Sequence, residues 1–250
     1  MAYIPILTYH RILREPPAPS VDPQRIAVSA SQFRAHLAWL TRWGYRAVSL
    51  VDYPRQLRRG PTPAPKSFAI TFDDGYEEVL TLALPILREF HFTATVFAVP
   101  GQLGGLNVWD DGQARLLNAD QIQALQKAGV TIGAHTCGHV HLPQVDTAAA
   151  RREIRDSKKR LEDILQQPAP LFAYPYGESN PAVESLVQEA GFEGAFATDR
   201  APRDHAENLF RLRRVVIFPR TNAWELFCKM QTWYPRYQDW KRAKREKQGR

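Results

Sequence analysis

The stretch Thr71-Phe72-Asp73-Asp74-Gly75 decides the fold of this chain and the place of its chemistry. The apolar run at 67–72 predicts a buried strand, and Gly75 predicts a turn directly behind two adjacent carboxylates. A second stretch, His135-Thr136-Cys137-Gly138-His139, also follows a strand-like run, at 130–134. Both stretches therefore place polar side chains at the point where a strand ends.

Strand-like and helical patterns alternate along the rest of the chain. A helix is predicted to begin at Ser29 or Ser31 and to end at Gly44, and Pro85 is predicted to kink or break a helix at 76–90. The segment 54–66, rich in Pro and Arg, is predicted to be a surface loop. Alternating units of this kind predict an α/β fold with a parallel sheet that is closed or nearly closed. In such barrels the working residues follow the carboxyl ends of the strands.

The composition indicates one globular domain, which we place at 1–235. The chain has 250 residues, of which 44% are hydrophobic and 24% charged, so it is long enough to bury a sizeable core. No apolar run approaches ~20 residues, which argues against a membrane span. The first residues show neither the basic nor the long apolar segment of a secretory signal. We therefore expect a cytoplasmic protein if the chain is intact, and an extracellular or periplasmic one if it has been trimmed.

The net charge of +7 is concentrated in a basic C-terminal tail at 236–250. This tail contains seven Lys or Arg against two acidic residues, so it carries +5 and leaves +2 for the rest of the chain. One interpretation is peripheral contact with an anionic membrane surface, nucleic acid or an acidic glycan. The other is a solvated terminus without a partner. No nucleic-acid-binding motif accompanies the tail, so nucleic acid is not expected as a partner, and the oligomeric state stays open.

The two quoted stretches hold the residue types of a metal site. Two imidazoles and one carboxylate make a set of protein ligands that leaves positions open for water and substrate. The remaining carboxylate can act as a base, which completes the groups needed for metal-assisted hydrolysis. Zinc is the favoured ion, and Co²⁺, Ni²⁺ and Fe²⁺ are alternatives because the same ligands serve several divalent ions. His141 lies close enough in sequence to compete with His139 for ligation.

Three motifs resemble those of the polysaccharide deacetylases, the NodB-homology group that is also called carbohydrate esterase family 4. They are TFDDG at 71–75, HTCGH at 135–139 and FAYPYG at 172–177, and the resemblance runs from about residue 3 to about residue 230. Asp-Asp-Gly alone would be an ordinary turn, whereas the first two motifs at this separation are a specific signal. The resemblance implies a single-domain, distorted (β/α)7-type barrel.

The same resemblance implies an enzyme: a metal-dependent hydrolase that removes N-acetyl groups from a sugar in a glycan by cleaving an amide C–N bond. It implies Asp74, His135 and His139 as the metal ligands. It implies Asp73 as the base that takes a proton from the water activated by the metal. The expected partner is therefore an N-acetylated glycan or glycoconjugate.

The FAYPYG motif implies one wall of the substrate groove. By resemblance, the backbone N–H of Tyr176 stabilises the oxyanion, and Tyr174 and Pro175 contact the substrate. Many relatives have an arginine in place of Ala173, and that arginine orients the catalytic aspartate. Arg214 is the candidate to replace it, and a surface ion pair of Arg214 is the alternative.

The general acid is expected to be a histidine, because the departing amine needs a proton. The N-terminal strand ends at His10, which resembles a rearranged subgroup that deacetylates poly-N-acetylglucosamine in biofilms. This resemblance implies His10 as the acid, with His205, in a polar loop, as the reserve. His36 and His91 are expected at the surface.

Two further functions stay open at the level of sequence. The change to Ala173 motivates a glycan-binding module with a degenerate site. The missing signal and the basic tail motivate a deacetylase of an intracellular, lipid-linked N-acyl sugar. Trp109 lies in the irregular segment 100–118, where it either stacks on a sugar ring or packs the loop against the barrel.

Overall fold

The computed structural model describes residues 3–15, 26–60, 64–110, 112–198, 201–202 and 204–247. Its strands are β1 Ile6–Tyr9, β2 Ile12–Leu13, β3 Val28–Ser29, β4 Arg46–Ala47, β5 Ser67–Phe72, β6 Thr95–Ala98, β7 Thr131–Ala134, β8 Leu171–Ala173, β9 Gly194–Ala197, β10 Leu212–Arg213 and β11 Val215–Val216. Its α-helices are α1 Ala30–Arg42, α2 Tyr53–Arg59, α3 Leu84–Glu89, α4 Ala119–Lys127, α5 Thr147–Leu165, α6 Pro181–Glu189, α7 Ala223–Lys229 and α8 Tyr234–Lys247. Strands and helices thus alternate, as predicted.

The main sheet is parallel and nearly closed. Its order is β10-β9-β8-β7-β6-β5-β1-β11, with β4 paired to β5, while β2 and β3 form a separate pair. The two ends of this order, β10 and β11, are separated in the chain by Arg214 alone. The Arg214 N–H also donates to the carbonyl of Ala197 at the end of β9 (3.1 Å). The sheet therefore curves until its two edges meet at this residue, which confirms the predicted α/β barrel.

Alternate residues of the strands pack into two separate clusters. In β5, Phe68, Ile70 and Phe72 belong to the larger cluster, which contains the apolar faces of the helices. Ala69 of the same strand belongs to a smaller cluster with Phe97 of β6. Because successive strand side chains point to opposite faces, one face packs under the helices and the other fills the barrel. Both faces are buried, which explains the continuous apolar run in the sequence.

Local signals set the helix boundaries. Ser29 caps α1 by accepting from the N–H of Gln32 at 3.1 Å, and Gly44 follows the helix with φ 76°. Pro85 lies in the first turn of α3, directly after a π-helical segment at Val79–Ala83. Ala83 and Leu84 both keep right-handed helical backbone, so the helix is not broken at this proline. The wider π-helical turn before Pro85 accommodates a residue that has no N–H to donate.

The prediction of a surface loop at 54–66 was wrong for its first part, where the chain forms α2. Pro54 lies in the first turn, Tyr53 and Leu57 are buried, and Gly60 ends the helix in the left-handed conformation (φ 82°). The proline that suggested a loop is thus a normal first-turn residue of a helix. Residues 61–63 of this segment lie outside the described part of the chain.

Two other regions differ from expectation. His36, expected at the surface, is fully buried, with its ring 3.0 Å from the Tyr9 hydroxyl and 2.8 Å from the Thr221 carbonyl. Burial lowers the pKa of His36 to about 4, so the ring is neutral and serves as a hydrogen-bonding group of the core. His91 is exposed, as predicted. Most of the tail at 236–250 belongs to α8, and within the described residues no helix is both long and apolar enough to cross a bilayer.

Candidate active site

The carboxyl ends of three strands meet at one cavity of about 310 Å³. The residues that follow β1, β5 and β7 line it: His10, Asp73, Asp74 and His135. β1 and β5 pair in parallel with Tyr9 opposite Phe72, and this register sets His10 beside Asp73. Loop and C-terminal residues complete the lining: Ile26, Tyr76, Trp109, Asp110, His139, Tyr176, Gly177, Thr198, Val216, Phe218, Lys229 and Gln238.

Asp74, His135 and His139 form a buried group with one possible metal ligand each. These three ligand atoms all lie within 4.8 Å of one another. Asp74 Oδ1 lies 3.4 Å from Nε2 of His135 and 3.1 Å from Nε2 of His139. The structure therefore brings together the carboxylate and the two imidazoles that were singled out in the sequence.

The hydrogen bonding of His135 fits a bound cation. Nδ1 of His135 lies 2.7 Å from the carbonyl oxygen of Ala173, and a carbonyl only accepts, so Nδ1 carries the proton. In the neutral ring, Nε2 then presents a lone pair to the carboxylate of Asp74. Two acceptors that face each other are stabilised by a positive centre between them. In imidazoles that bind metals, the ring nitrogen that does not bind the metal typically donates its N–H to a carbonyl or carboxylate.

The charge states also suit ligation. Burial lowers the pKa of His139 in spite of the opposing effect of Asp74, so its ring is neutral near pH 7. Burial alone would raise the pKa of Asp74, but the neighbouring rings of His135 and His139 hold that pKa well below its ordinary value. Metal ligands must be deprotonated, so a neutral imidazole and an ionised carboxylate are the required forms.

Backbone strain is concentrated in this site. Asp74, Thr136, His139 and Tyr176 have φ of 69°, 59°, 59° and 60°, in the left-handed region that residues with a Cβ rarely adopt. Each costs on the order of 1–3 kcal/mol and persists only where the surroundings hold it. Three of these four residues, Asp74, His139 and Tyr176, line the cavity.

Glu153 on α5 holds one of the strained loops and was missed by the sequence analysis. Its Oε2 accepts from the N–H groups of Cys137 (2.9 Å) and Gly138 (2.7 Å), between the two histidine ligands. Within the same loop the N–H of His139 donates to Thr136 Oγ1 at 2.9 Å. No local signal singled out Glu153, because it is one of many charged residues on a long helix.

Arg214 is fully buried and pairs with Asp73. Its Nη1 and Nη2 donate to Asp73 Oδ1 at 2.6 Å and Oδ2 at 2.7 Å, which is a bidentate pair. Nη1 also donates to Thr71 Oγ1 at 3.2 Å. Burial alone would raise the pKa of Asp73, but the Arg214 charge holds it below its ordinary value. Arg214 therefore orients the carboxylate that Ala173 cannot orient, and the alternative of a surface ion pair is wrong.

His10 faces Asp73 across the cavity. Its Nε2 lies 4.0 Å from Asp73 Oδ2, which is too long for a hydrogen bond and leaves room for a group between them. Its side chain is 18% exposed, and it lines the cavity. His10 is therefore placed to contact a molecule that binds in the cavity beside Asp73.

Two other histidines do not take part in this cluster. His205, the reserve acid, is buried away from the cavity lining, with its ring 2.8 Å from the Tyr53 hydroxyl and 3.1 Å from the Arg213 carbonyl. Burial lowers the pKa of His205 to about 3, so it stays neutral. His141 is half exposed, lies 3.0 Å from a Glu178 oxygen and stacks on the Tyr176 ring. The structure thus favours His10 over His205 as the acid, and His139 over His141 as the ligand.

The FAYPYG motif contributes to the cavity through Tyr176 and Gly177, whereas Tyr174 and Pro175, which were predicted to contact the substrate, do not line it. Tyr174 and Pro175 are buried, and the Tyr174 hydroxyl donates to the Phe210 carbonyl at 2.7 Å. β8 ends at Ala173, and the turn that follows buries Tyr174 and Pro175 and brings Tyr176 and Gly177 to the cavity. Within the described residues, the N–H of Tyr176 has no protein acceptor.

Trp109 both packs and faces the cavity. Its ring stacks on the His139 ring, with centroids 4.3 Å apart and planes 21° apart, and it packs against a small cluster that includes Tyr76 and Leu116. It also lines the cavity. The two interpretations of Trp109 are therefore compatible, because the ring packs against His139 and also forms part of the cavity wall.

The C-terminal part of the chain supplies a wall that the sequence did not reveal. Phe218, Lys229 and Gln238 line the cavity, although they follow no motif. Lys229 is buried, and its Nζ donates to the Val216 carbonyl at 3.0 Å. Their place depends on α7 and α8 folding back over the barrel, which no local pattern predicts.

Comparisons with known proteins agree with this geometry. Residues 60–195, more than half of the chain, match the family model described as polysaccharide deacetylase. The chain is 23% identical over 207 residues to a Staphylococcus aureus protein named poly-beta-1,6-N-acetyl-D-glucosamine N-deacetylase, covering 79% of this chain and 70% of that protein.

Solved structures show the same fold. The deacetylase PplD of Streptococcus pyogenes, solved in complex with acetate, is similar with a TM-score of 0.79 and 26% identity, covering 91% of this chain and 98% of that one. IcaB from Ammonifex degensii is similar in fold, with a TM-score of 0.77 over 92% of this chain and 96% of that one, at 24% identity. The motifs, the barrel and the family match together show that this chain belongs to the polysaccharide deacetylase family.

Proposed function

We propose that this protein is a metal-dependent N-deacetylase that acts on N-acetylated sugars within a glycan. One observation carries the proposal: the Asp74, His135 and His139 group shares a cavity with Asp73, a second carboxylate that is oriented by a buried arginine. A cation site with a separate base is one arrangement that can hydrolyse an unactivated amide.

Asp74, His135 and His139 would hold the cation through one carboxylate oxygen and two imidazole nitrogens. A divalent cation at this position supplies positive charge that acidifies water and polarises the acetamide carbonyl. Zn²⁺ is the ion that we favour, with Co²⁺, Ni²⁺ and Fe²⁺ as alternatives.

Asp73 is the proposed base. Its lowered pKa keeps it ionised, and Arg214 fixes the plane of the carboxylate with two short hydrogen bonds. Each carboxylate oxygen keeps a second acceptor position, so the bidentate pair leaves Asp73 able to accept a proton from water. The water oxygen then forms a bond with the acetyl carbon.

His10 and Tyr176 complete the proposed chemistry. The backbone N–H of Tyr176 donates to the oxyanion that develops on the acetyl group. His10 gives a proton to the amide nitrogen as the C–N bond breaks, so the products are acetate and a free amine on the sugar.

An N-acetylglucosamine polymer is the proposed substrate class. The cavity is open and walled by the aromatic side chains of Trp109, Tyr176 and Phe218, which suits the flat apolar faces of sugar rings. The S. aureus relative is named for a poly-N-acetylglucosamine, and the S. pyogenes neighbour binds acetate, which is the second product of the proposed reaction.

A glycan-binding module with a degenerate site is the weaker hypothesis. Its motivation was Ala173, and Arg214 supplies the missing cation from a different strand end. A degenerate site would not need a fully buried bidentate pair on the base. We therefore favour catalysis.

The test is acetate release from N-acetylglucosamine oligomers by protein loaded with Zn²⁺ or Co²⁺, before and after treatment with a chelator. We expect release that the chelator stops and that metal restores. Asp73→Asn should abolish release while metal content, measured by elemental analysis, stays unchanged. Asp163→Asn, an exposed aspartate on α5, is the matched control and should keep full activity.

Two outcomes would contradict the proposal. Full activity of Asp73→Asn would remove Asp73 as the base. Binding of the oligomers without any metal-dependent release, by protein with its full metal content, would favour the binding module.

A further inference from the structure

The outer face of α8 carries a stripe of exposed aromatic residues that the catalytic proposal does not use. Trp233, just before the helix, and Tyr237 and Trp240 within it are spaced by four and three residues, so they share one face. Their exposed fractions are 48%, 43% and 60%. The rings contact one another in order, with centroids 6.3 Å and 6.1 Å apart. We call these three residues the aromatic stripe.

The opposite face of α8 fixes the helix to the barrel. Arg213 is 1% exposed, and its Nη2 donates to Asp239 at 2.6 Å while its Nη1 donates to the Pro235 carbonyl at 3.2 Å. Gln238 on the same helix lines the active-site cavity. The aromatic stripe therefore lies on a helix that is anchored to the barrel and that also contributes Gln238 to the active-site cavity.

Basic residues flank the stripe. Arg236, Lys241 and Lys244 are exposed, and Lys244 Nζ lies over the Trp240 ring at 5.5 Å from its centre. The acidic residue of this helix with a described side chain, Asp239, is turned to the barrel and paired with Arg213. The outer face thus combines tryptophan and tyrosine with positive charge, in the segment that carries +5 of the net charge of +7.

We propose that this face docks on a bilayer surface rich in anionic phospholipid. Trp and Tyr favour the level of the lipid headgroups, because their rings have an apolar body and a polar tip. Lys and Arg beside them are attracted to anionic headgroups. The stripe has no aliphatic side chains to insert deeply, so the contact is peripheral and depends on charge.

The same observations disfavour nucleic acid, glycan and a second copy of the chain as partners of this face. The rings of Tyr237 and Trp240 lie nearly parallel against each other (29°), and Lys244 covers Trp240, so these faces already contact protein groups and are less open to bases or sugars. A deacetylated glycan carries ammonium groups, which a basic face repels. A second copy of the chain would bring two basic faces together, and three aromatic residues fall short of the ~800 Å² per partner of a stable interface.

The test is co-sedimentation of the full chain with vesicles of phosphatidylcholine alone, or with about one-third phosphatidylglycerol, at physiological salt. We expect binding to the anionic vesicles only, weakened at high salt. Lys241→Ala/Lys244→Ala should lower the partition coefficient by about 30-fold, from about fivefold for each basic residue near the surface. Trp233→Ala/Tyr237→Ala/Trp240→Ala should also lower it at unchanged charge.

Arg88→Ala/Lys127→Ala is the matched control. It removes two exposed charges from α3 and α4, on other helices, and should bind anionic vesicles like the unchanged protein. Acetate release from a soluble oligomer should be unchanged in the Lys241→Ala/Lys244→Ala variant, which shows that the protein is folded.

Three results would overturn the proposal. The first is equal binding to neutral and anionic vesicles. The second is a decrease in the partition coefficient of the Arg88→Ala/Lys127→Ala control as large as that of Lys241→Ala/Lys244→Ala. The third is the absence of vesicle binding by the folded protein. Single-stranded DNA that binds in competition with the vesicles, and more tightly, would assign the face to nucleic acid instead.

Discussion

Replacement of Arg214 by glutamine is the sharpest test of how this site is built. The guanidinium is fully buried and makes two charge-assisted hydrogen bonds to Asp73, at 2.6 and 2.7 Å. Without it, the buried Asp73 carboxylate has lost its main partner. Breaking a buried pair in this way costs about 3–5 kcal/mol. That is a large fraction of the roughly 5–15 kcal/mol by which a domain is stable, so Arg214→Gln should fold but unfold at a much lower urea concentration.

The loss should depend on pH, with a sign that follows from the pKa of Asp73. In the unchanged protein this pKa is lowered, so the pair stabilises the fold fully above the ordinary aspartate pKa and loses that effect as the pH falls through the lowered value. In Arg214→Gln, burial is no longer offset by the guanidinium, so Asp73 takes up a proton at a higher pH. The difference in unfolding free energy should therefore be largest near neutral pH and shrink towards about pH 4.

The assay is urea unfolding of metal-free protein across this pH range, for the single variants and for Asp73→Asn/Arg214→Gln. The decrease in unfolding free energy in the double variant should be smaller than the sum of the decreases in the two single variants. The reason is that removing both charges leaves neither one unpaired. Arg213→Gln is the control. Its partner Asp239 is 30% exposed and can be hydrated, so the decrease in unfolding free energy should vary little with the protonation of Asp73. A loss below about 1 kcal/mol for Arg214→Gln near neutral pH, or additive losses in the double variant, would refute the reasoning.

Three further predictions concern the loops around the site. Glu153→Ala should weaken metal binding by about 10–100-fold, measured by competition with a chromogenic chelator, because two N–H donors of the ligand loop lose their acceptor. Gly177→Ala should lower the unfolding free energy by more than Gly112→Ala, since both have φ near 70° but only the former would meet a neighbouring side chain. Trp109→Ala should raise KM for glycan oligomers and also weaken metal binding, because the ring stacks on a ligand.

Each of these predictions can fail clearly. Unchanged metal affinity in Glu153→Ala would mean that the loop keeps its strained shape without the carboxylate. Equal losses for Gly177→Ala and Gly112→Ala would show that left-handed strain alone decides both. Unchanged KM and metal affinity in Trp109→Ala would show that the Trp109 ring has only a packing role.

Much of the site could be predicted because most of its polar residues lie in short sequence motifs. A strand followed by Asp73 and Asp74, and another followed by His135, needed only the rule that parallel strands end at the same edge of a sheet. The outcome for Tyr174 and Pro175 shows the limit of such reasoning, because a turn of left-handed backbone at Tyr176 decides which residue of the motif reaches the cavity.

The amino-acid sequence was sufficient to predict local structure: which runs are strands, where Ser29 and Gly44 bound a helix, and that two carboxylates follow β5. These depend on neighbours a few residues away, through alternating burial, capping and turn conformation. It also identified the three candidate ligands, since their spacing from strand ends is a local property.

Contacts between distant residues depend on how the whole chain folds. Arg214 reaches Asp73 because the barrel closes at that residue, which joins positions 141 apart in the chain. Glu153 reaches the ligand loop because α5 packs beside β7, and α8 presents its aromatic face because Arg213 anchors the opposite one. Such contacts follow from the closure of the sheet and the packing of helices on it, so no short stretch of sequence contains them.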